Sequence, residues 1–228
     1  MPSIQKMLFF ISSALVTAVS VGLLGYGMSA NWATTTIECA RSGSGHFNGS
    51  AKITMTLFNG TVLRTFCPFG GSDRFDVFPA LTTKGGTPIA LHGLVLCLLG
   101  LCLLFSACTI LISLYNSVSN PYETYMGPVG IYTCSSLSAC FSFAVLIIFF
   151  VNVTVTNMAQ DVVMSFAGVV DLGDKSSNML QGYYFVIPYT VLALFDIALI
   201  FLYDHAAYTH RREQQRPTED APKEIMMY

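Results

Sequence analysis

The stretch IALHGLVLCLLGLCLLFSACTILISL, residues 89–114, contains no Asp, Glu, Lys or Arg. A helix rises about 1.5 Å per residue, so a run of this length exceeds the roughly 30 Å hydrocarbon core of a bilayer. Three further runs of the same character lie at residues 7–29, 129–151 and 183–203, and the one charged side chain inside any of the four is Asp196. Hydrocarbon offers no partner to an unpaired peptide group, so these runs are expected as helices rather than isolated strands. The predicted fold class is an all-α membrane protein, a four-transmembrane-helix bundle.

Composition agrees, with 53% hydrophobic and 11% charged residues. A net charge of -2 supplies no field for nucleic acid, and the lipid bilayer is the partner that composition names. The first run follows Lys6 as a signal peptide would, but its charge-free length exceeds the usual h-region of about 7 to 15 residues, so it reads as a retained span. Lys6 before the first span, and Arg211, Arg212, Arg216 and Lys223 after the fourth, place both termini in the cytoplasm by the positive-inside rule. The resulting order is a cytoplasmic N-terminus (1–6), outer loops at 30–88 and 152–182, a cytoplasmic turn at 115–128 and a cytoplasmic tail (204–228).

The cytoplasmic turn is strongly specified. Asn120-Pro121 ends the second helix, because the residue before proline is driven out of the helical region. Pro128 suits the first turn of the third helix, where a missing N–H costs nothing, and Gly127 and Gly130 permit a tight entry. In the first outer loop, residues 53–58 and 61–66 alternate about Asn59-Gly60, which favours a type I′ turn and predicts a small extracellular β-hairpin. In the second, Met158, Val162, Phe166 and Val169 recur at helical spacing and predict an extension of helix three that covers the hairpin.

Cys39 and Cys67 are the two cysteines outside the spans, and an oxidising lumenal route favours a disulfide between them over two free thiols. It would close a loop of nearly thirty residues and contribute about 3–4 kcal/mol by loop entropy. Three N-x-S/T sequons occur. Asn48, in a polar Gly-rich stretch, is the best acceptor; Asn59, also outside, is the second, with access limited by the tight turn; Asn152 abuts a span and is the least suited.

The inner-turn sequence at 115–133, Asn31-Trp32 just beyond helix one, residues 57–60 and the C-terminus resemble the clarin family over nearly the whole chain. That resemblance implies a claudin/tetraspan-like plan and a glycosylated plasma-membrane protein without enzymatic activity, whose relatives act in sensory cells and actin-linked membrane organisation. The wide spacing of Cys39 and Cys67 departs from the claudin pattern and argues against claudin-type strand formation.

Asp196 is expected to face protein and to hydrogen-bond Ser135, Ser138 or Tyr189, since a mid-span carboxylate costs about 2.5–3.5 kcal/mol on insertion scales. Pro188 should kink helix four, and Gly22, Gly25, Gly27, Gly93 and Gly100 should allow close helix approach, with a homo- or hetero-oligomer face as the other use of such glycines. The tail from His205 reads as disordered, and Met226 and Tyr228 give its end a PDZ-type pattern for a cytoplasmic partner. The four histidines are split between the two sides of the membrane, and no nucleophile elbow, phosphate loop or metal-ligand spacing appears. The reading is therefore a non-enzyme with no catalytic, metal or cofactor site: a membrane scaffold or organiser first, with a small channel or transporter subunit using Asp196, or claudin-like adhesion, as alternatives.

Overall fold

A computed structural model describes residues 3–41, 47–67, 69–82, 85–118, 127–168 and 170–214. Four long helices are apolar enough to cross a membrane: α1 (Ser3–Ser29), α3 (Thr87–Val118), α4 (Gly127–Thr154) and α7 (Val186–Gln214), the last preceded by the short α6 (Gln181–Tyr184). Between and beyond them lie β1 (Ala33–Arg41), β2 (Gly49–Met55), β3 (Asn59–Thr65), β4 (Gly71–Asp76), α2 (Val77–Thr82), α5 (Met158–Ala167) and β5 (Val170–Met179). The protein is thus a four-helix membrane bundle carrying a sheet at one end.

The buried positions of the helices follow one rule. On α1 they include Lys6, Phe10, Ser13, Thr17, Ser20, Leu24 and Gly27, in alternating steps of four and three residues, with Ala14 beside Ser13. The same steps run from His92 through Leu99, Ser106 and Ser113 to Asn116 on α3, from Ile131 through Ser138 and Val145 to Asn152 on α4, and from Val186 through Asp196 to Tyr203 on α7. A repeat of 3.5 residues keeps one seam facing its neighbours only if the helices wind left-handedly about one another. The seam is rich in Ser and Thr, whereas Leu15, Leu104, Leu111, Phe143 and Phe201 point outward. This is the arrangement lipid favours, because apolar side chains gain nothing by leaving acyl chains while small residues let backbones approach.

The glycines are not the packing device that their number suggests. A Cβ added at Gly22, Gly25, Gly93 or Gly100 would meet nothing within 4 Å, so these positions lie open; Gly27 alone of the five is close-packed, its added Cβ 2.9 Å from Phe185 Cβ. Pro188 likewise falls in the first turn of α7, after a break at Phe185, where its missing N–H has no helical partner to lose. The helical run of the fourth span is interrupted at Phe185, one turn before this proline. At the other end α7 runs on to Gln214, past the polar change at His205, through helix-forming residues such as Ala206 and Ala207.

The expected hairpin is the middle of a five-stranded antiparallel sheet ordered β4-β3-β2-β1-β5, so the segment between α5 and α6 supplies an edge strand. Its turn is also displaced. Met55 pairs with Gly60, which puts Leu57-Phe58 at the bend and Asn59-Gly60 inside β3. Thr56 closes that bend by donating its N–H to the Asn59 carbonyl at 2.8 Å. Gly60 is needed for space rather than for φ: a Cβ there would lie 2.6 Å from the Phe75 ring.

One sheet face is apolar and buried. Ile37, Ala51, Ile53, Met55, Val62 and Phe75 pack under Val77 and Leu81 of α2 and Met158, Ala159, Val162 and Val163 of α5. The stripe at 158, 162 and 166 covers the sheet from a separate helix, since α4 ends at Thr154 and the chain turns before α5; Val169 lies outside the described residues. Arg64 ties this cover down by pairing with Asp73 and donating to the Phe166 carbonyl at 3.0 Å. Cys39 and Cys67 are bonded at the end of the sheet away from the helices, both within the buried core.

Lipid-facing and seam positions should respond oppositely to substitution. Ser142→Leu, which inserts bulk at a fully buried position, is expected to cost about 1–3 kcal/mol. Leu111→Ala, on the outward face, should change stability by less than about 0.5 kcal/mol. Reversible unfolding in detergent micelles measures both.

Candidate functional site at the rim of the bundle

The sheet is held to the helices by one residue above all. Trp32 is fully buried and sits three residues beyond the end of α1. Its Nε1 donates to the Gly27 carbonyl at 2.8 Å, in the last turn of α1, where that oxygen otherwise accepts only a shared bond from the Ala30 N–H at 3.2 Å. Its backbone N–H donates to Met55 at 2.7 Å, and its carbonyl accepts from Leu180 at 2.9 Å. The ring meets Phe149 of α4 edge-on at 4.9 Å between centroids. Trp32 therefore joins α1, β2, α4 and the segment leading into α7.

Gly182 makes room for it: a Cβ there would lie 2.4 Å from Trp32 Cδ1. Seam positions at the helix ends supply the other clamps. His92 of α3, fully buried, bonds the Leu57 carbonyl at 2.7 Å, which places its proton on Nε2. Asn152 of α4 donates to the Pro88 carbonyl at 3.2 Å and approaches Met158 Sδ at 3.5 Å. Lys175 of β5 donates to the carbonyls of Thr156 at 2.9 Å and Val153 at 3.3 Å, setting a cation against the C-terminal end of α4. Burial holds this ammonium below the ordinary lysine range.

Within the seam the polar side chains pair across helices. Ser13 and Ser113 share a hydrogen bond of 3.1 Å, Ser142 and Thr190 one of 2.8 Å, and Tyr189 bonds Ser106 at 2.8 Å and the Cys102 carbonyl at 3.1 Å. Ser135 donates to Asp196 Oδ2 at 2.7 Å. Of the three expected partners of Asp196, Ser135 occupies that place, and Tyr189 is committed to α3. Asp196 Oδ1 is buried without a hydrogen-bond partner among the described residues. Among those residues no group of three or more His, Cys, Asp and Glu side chains converges on a point that could hold a metal.

The Clarin-2-like family model matches residues 4–170. The chain belongs to the clarin family. Mus musculus Clarin-3 is 31% identical over 234 residues, covering 100% of both chains, and Homo sapiens Clarin-3 is 28% identical over 233 residues, again covering 100% of both. Mus musculus Clarin-1 is 24% identical over 196 residues, 82% of this chain and 83% of that protein.

The other residues singled out in this clarin are dispersed. Asn48 is exposed beside the start of β2. Asn59 is exposed on β3, its Oδ1 accepting from Thr56 at 2.8 Å. Asn152 is fully buried with its amide engaged. Gly127 and Gly130 are buried in the first turn of α4 with Pro128 between them, while Asn120, Pro121, Met226 and Tyr228 lie outside the described residues. Motif spacing marks Trp32 but not its clamp, and carries no signal for Gly182 or Lys175. The signal for Gly182 is non-local, because its neighbour is 150 positions away.

Trp32 is the one tryptophan, so intrinsic fluorescence reports this junction alone. Emission of the folded protein should be blue-shifted and resist acrylamide. Gly182→Ala, which drives a methyl into the indole, is expected to shift emission to the red and increase quenching; an unchanged spectrum would show that the clamp is absent.

Proposed function

We propose that this clarin is a non-enzymatic membrane organiser that presents a rigid outer sheet and a cytoplasmic tail to other proteins. The observation that carries the reading is the clamp at the rim. A sheet tied to the bundle through Trp32, His92 and Lys175, with Asn152 fixing the sheet-covering α5, transmits position, which is what a scaffold requires. The exposed sheet face is a polar array that includes Thr34, Thr36, Lys52, Thr54, Thr61 and Arg74. Such a surface suits recognition at a polar interface.

The plasma membrane is the proposed site, with both termini in the cytoplasm and the sheet outside. The disulfide within the sheet supports that orientation, as does the basic tail. Asn48 is the proposed principal glycan acceptor: it is exposed beside the start of β2. The C-terminal Met226 and Tyr228 are proposed to add to a PDZ-type groove by strand pairing. A homo- or hetero-oligomer fits an organiser and lies within the same reading.

A second reading has its own observation. The unpartnered oxygen of Asp196 lies in a polar seam, which is the feature a proton or cation pathway would use. Currents across planar bilayers containing purified protein separate the two. The organiser reading expects no conductance above background in wild type or Asp196→Asn, and a pH-dependent current lost in Asp196→Asn would overturn it. Affinity purification with and without residues 225–228 is expected to show PDZ-domain proteins with the intact chain only. Glycosidase treatment should shift mobility in wild type, and Asn48→Gln should remove most of that shift.

A further inference from the structure

The outer sheet face ends at the bundle rim in a crevice of about 410 Å³. Its walls include Arg74 and Asp76 of β4, Thr54 and Thr61 of the next strands, Asn59, and Asn31 just past α1. Pairing builds it in two rows. Thr54 lies opposite Thr61 and Thr61 opposite Arg74, while Asn59 lies opposite Asp76 one row nearer the helices. Arg74 and Asp76 are two residues apart on one strand, so both side chains leave on the same face. They are not paired with each other, nor does either side chain have another partner among the described residues. Arg64, by contrast, is committed to Asp73 and Phe166.

Depth decides what reaches this place. Asn31 follows the last turn of α1, and the bend between Thr56 and Asn59 is bonded through Leu57 to His92 in the opening turns of α3. Where the helices leave hydrocarbon, the neighbouring molecules are lipid headgroups. A cation and a carboxylate on alternate positions, walled by hydroxyls and carboxamides, complement a molecule bearing both an anion and a cation a short distance apart. We infer that this crevice binds the zwitterionic headgroup of a phospholipid of the surrounding bilayer, phosphate on Arg74 and ammonium on Asp76. Arginine suits the phosphate because its planar fork donates two parallel hydrogen bonds. The acyl chains then lie along the outward faces of the bundle, so the site fastens the sheet's free edge to the membrane.

Native mass spectrometry of the full-length chain released from nanodiscs tests this with named probes. Wild type should retain phosphatidylethanolamine over phosphatidylglycerol, which keeps the phosphate but lacks the ammonium. Arg74→Ala should weaken retention of phosphatidylethanolamine about tenfold, as loss of one charge-assisted contact implies. Asp76→Asn should abolish the preference between the two lipids, and Arg74→Lys should restore part of the retention. Both positions are exposed, and an unchanged Trp32 emission in each variant shows that the junction is intact. Equal retention of both lipids by wild type and variants would overturn the inference, as would soluble phosphoethanolamine binding as well as the lipid. A glycan on Asn59 in protein from mammalian cells would also overturn it, since the sugar would fill the crevice.

Discussion

The structure depends on a seam in which four helices place a residue inward at alternating steps of three and four. Water drives ordinary bundles together by expelling apolar side chains, and lipid gives no such drive. Association must come from close packing and from hydrogen bonds that hydrocarbon cannot replace. Ser13 on Ser113, Ser135 on Asp196, Ser142 on Thr190 and Ser106 on Tyr189 supply those bonds at successive levels. The 3.5-residue spacing then fixes the left-handed winding, and the winding fixes which residues emerge together at the rim.

The last seam positions at that rim are the ones that grip the sheet. Gly27 accepts from Trp32, His92 holds the Leu57 carbonyl, and Asn152 reaches the α3 entry and Met158. One repeat therefore assembles the membrane part and positions the sheet. The disulfide acts at the opposite end of the sheet, away from the four long helices, within the core that α5 covers.

Much of this was legible in the chain. The four spans follow from length and charge, and the cysteine pairing followed from which thiols lie outside them. The seam was legible too, in Ser106, Thr109, Ser113 and Asn116 and again in Ser135, Ser138 and Ser142. The glycines are a poorer guide to that seam, because Gly is common in membrane helices wherever it faces. The sheet was under-read for a different reason: β5 carries Gly, Asp, Ser and Asn, poor strand formers, and is ordered by pairing with β1. Thr35 and Ser177, hydrogen-bonded at 3.0 Å, are 142 positions apart, beyond the reach of any local pattern. At Asn59-Gly60 a strong turn preference yielded to the room Phe75 requires.

Disulfide trapping in the membrane measures the seam most directly. In a background with the five helix cysteines replaced by alanine, Ser13→Cys with Ser113→Cys places two thiols where the native hydroxyl oxygens stand 3.1 Å apart. Mild oxidation should join α1 to α3 within one chain, while Leu15→Cys with Leu111→Cys, on outward faces, should not join within a chain. No intramolecular bridge in the first pair, or equal bridging in both, would contradict the seam.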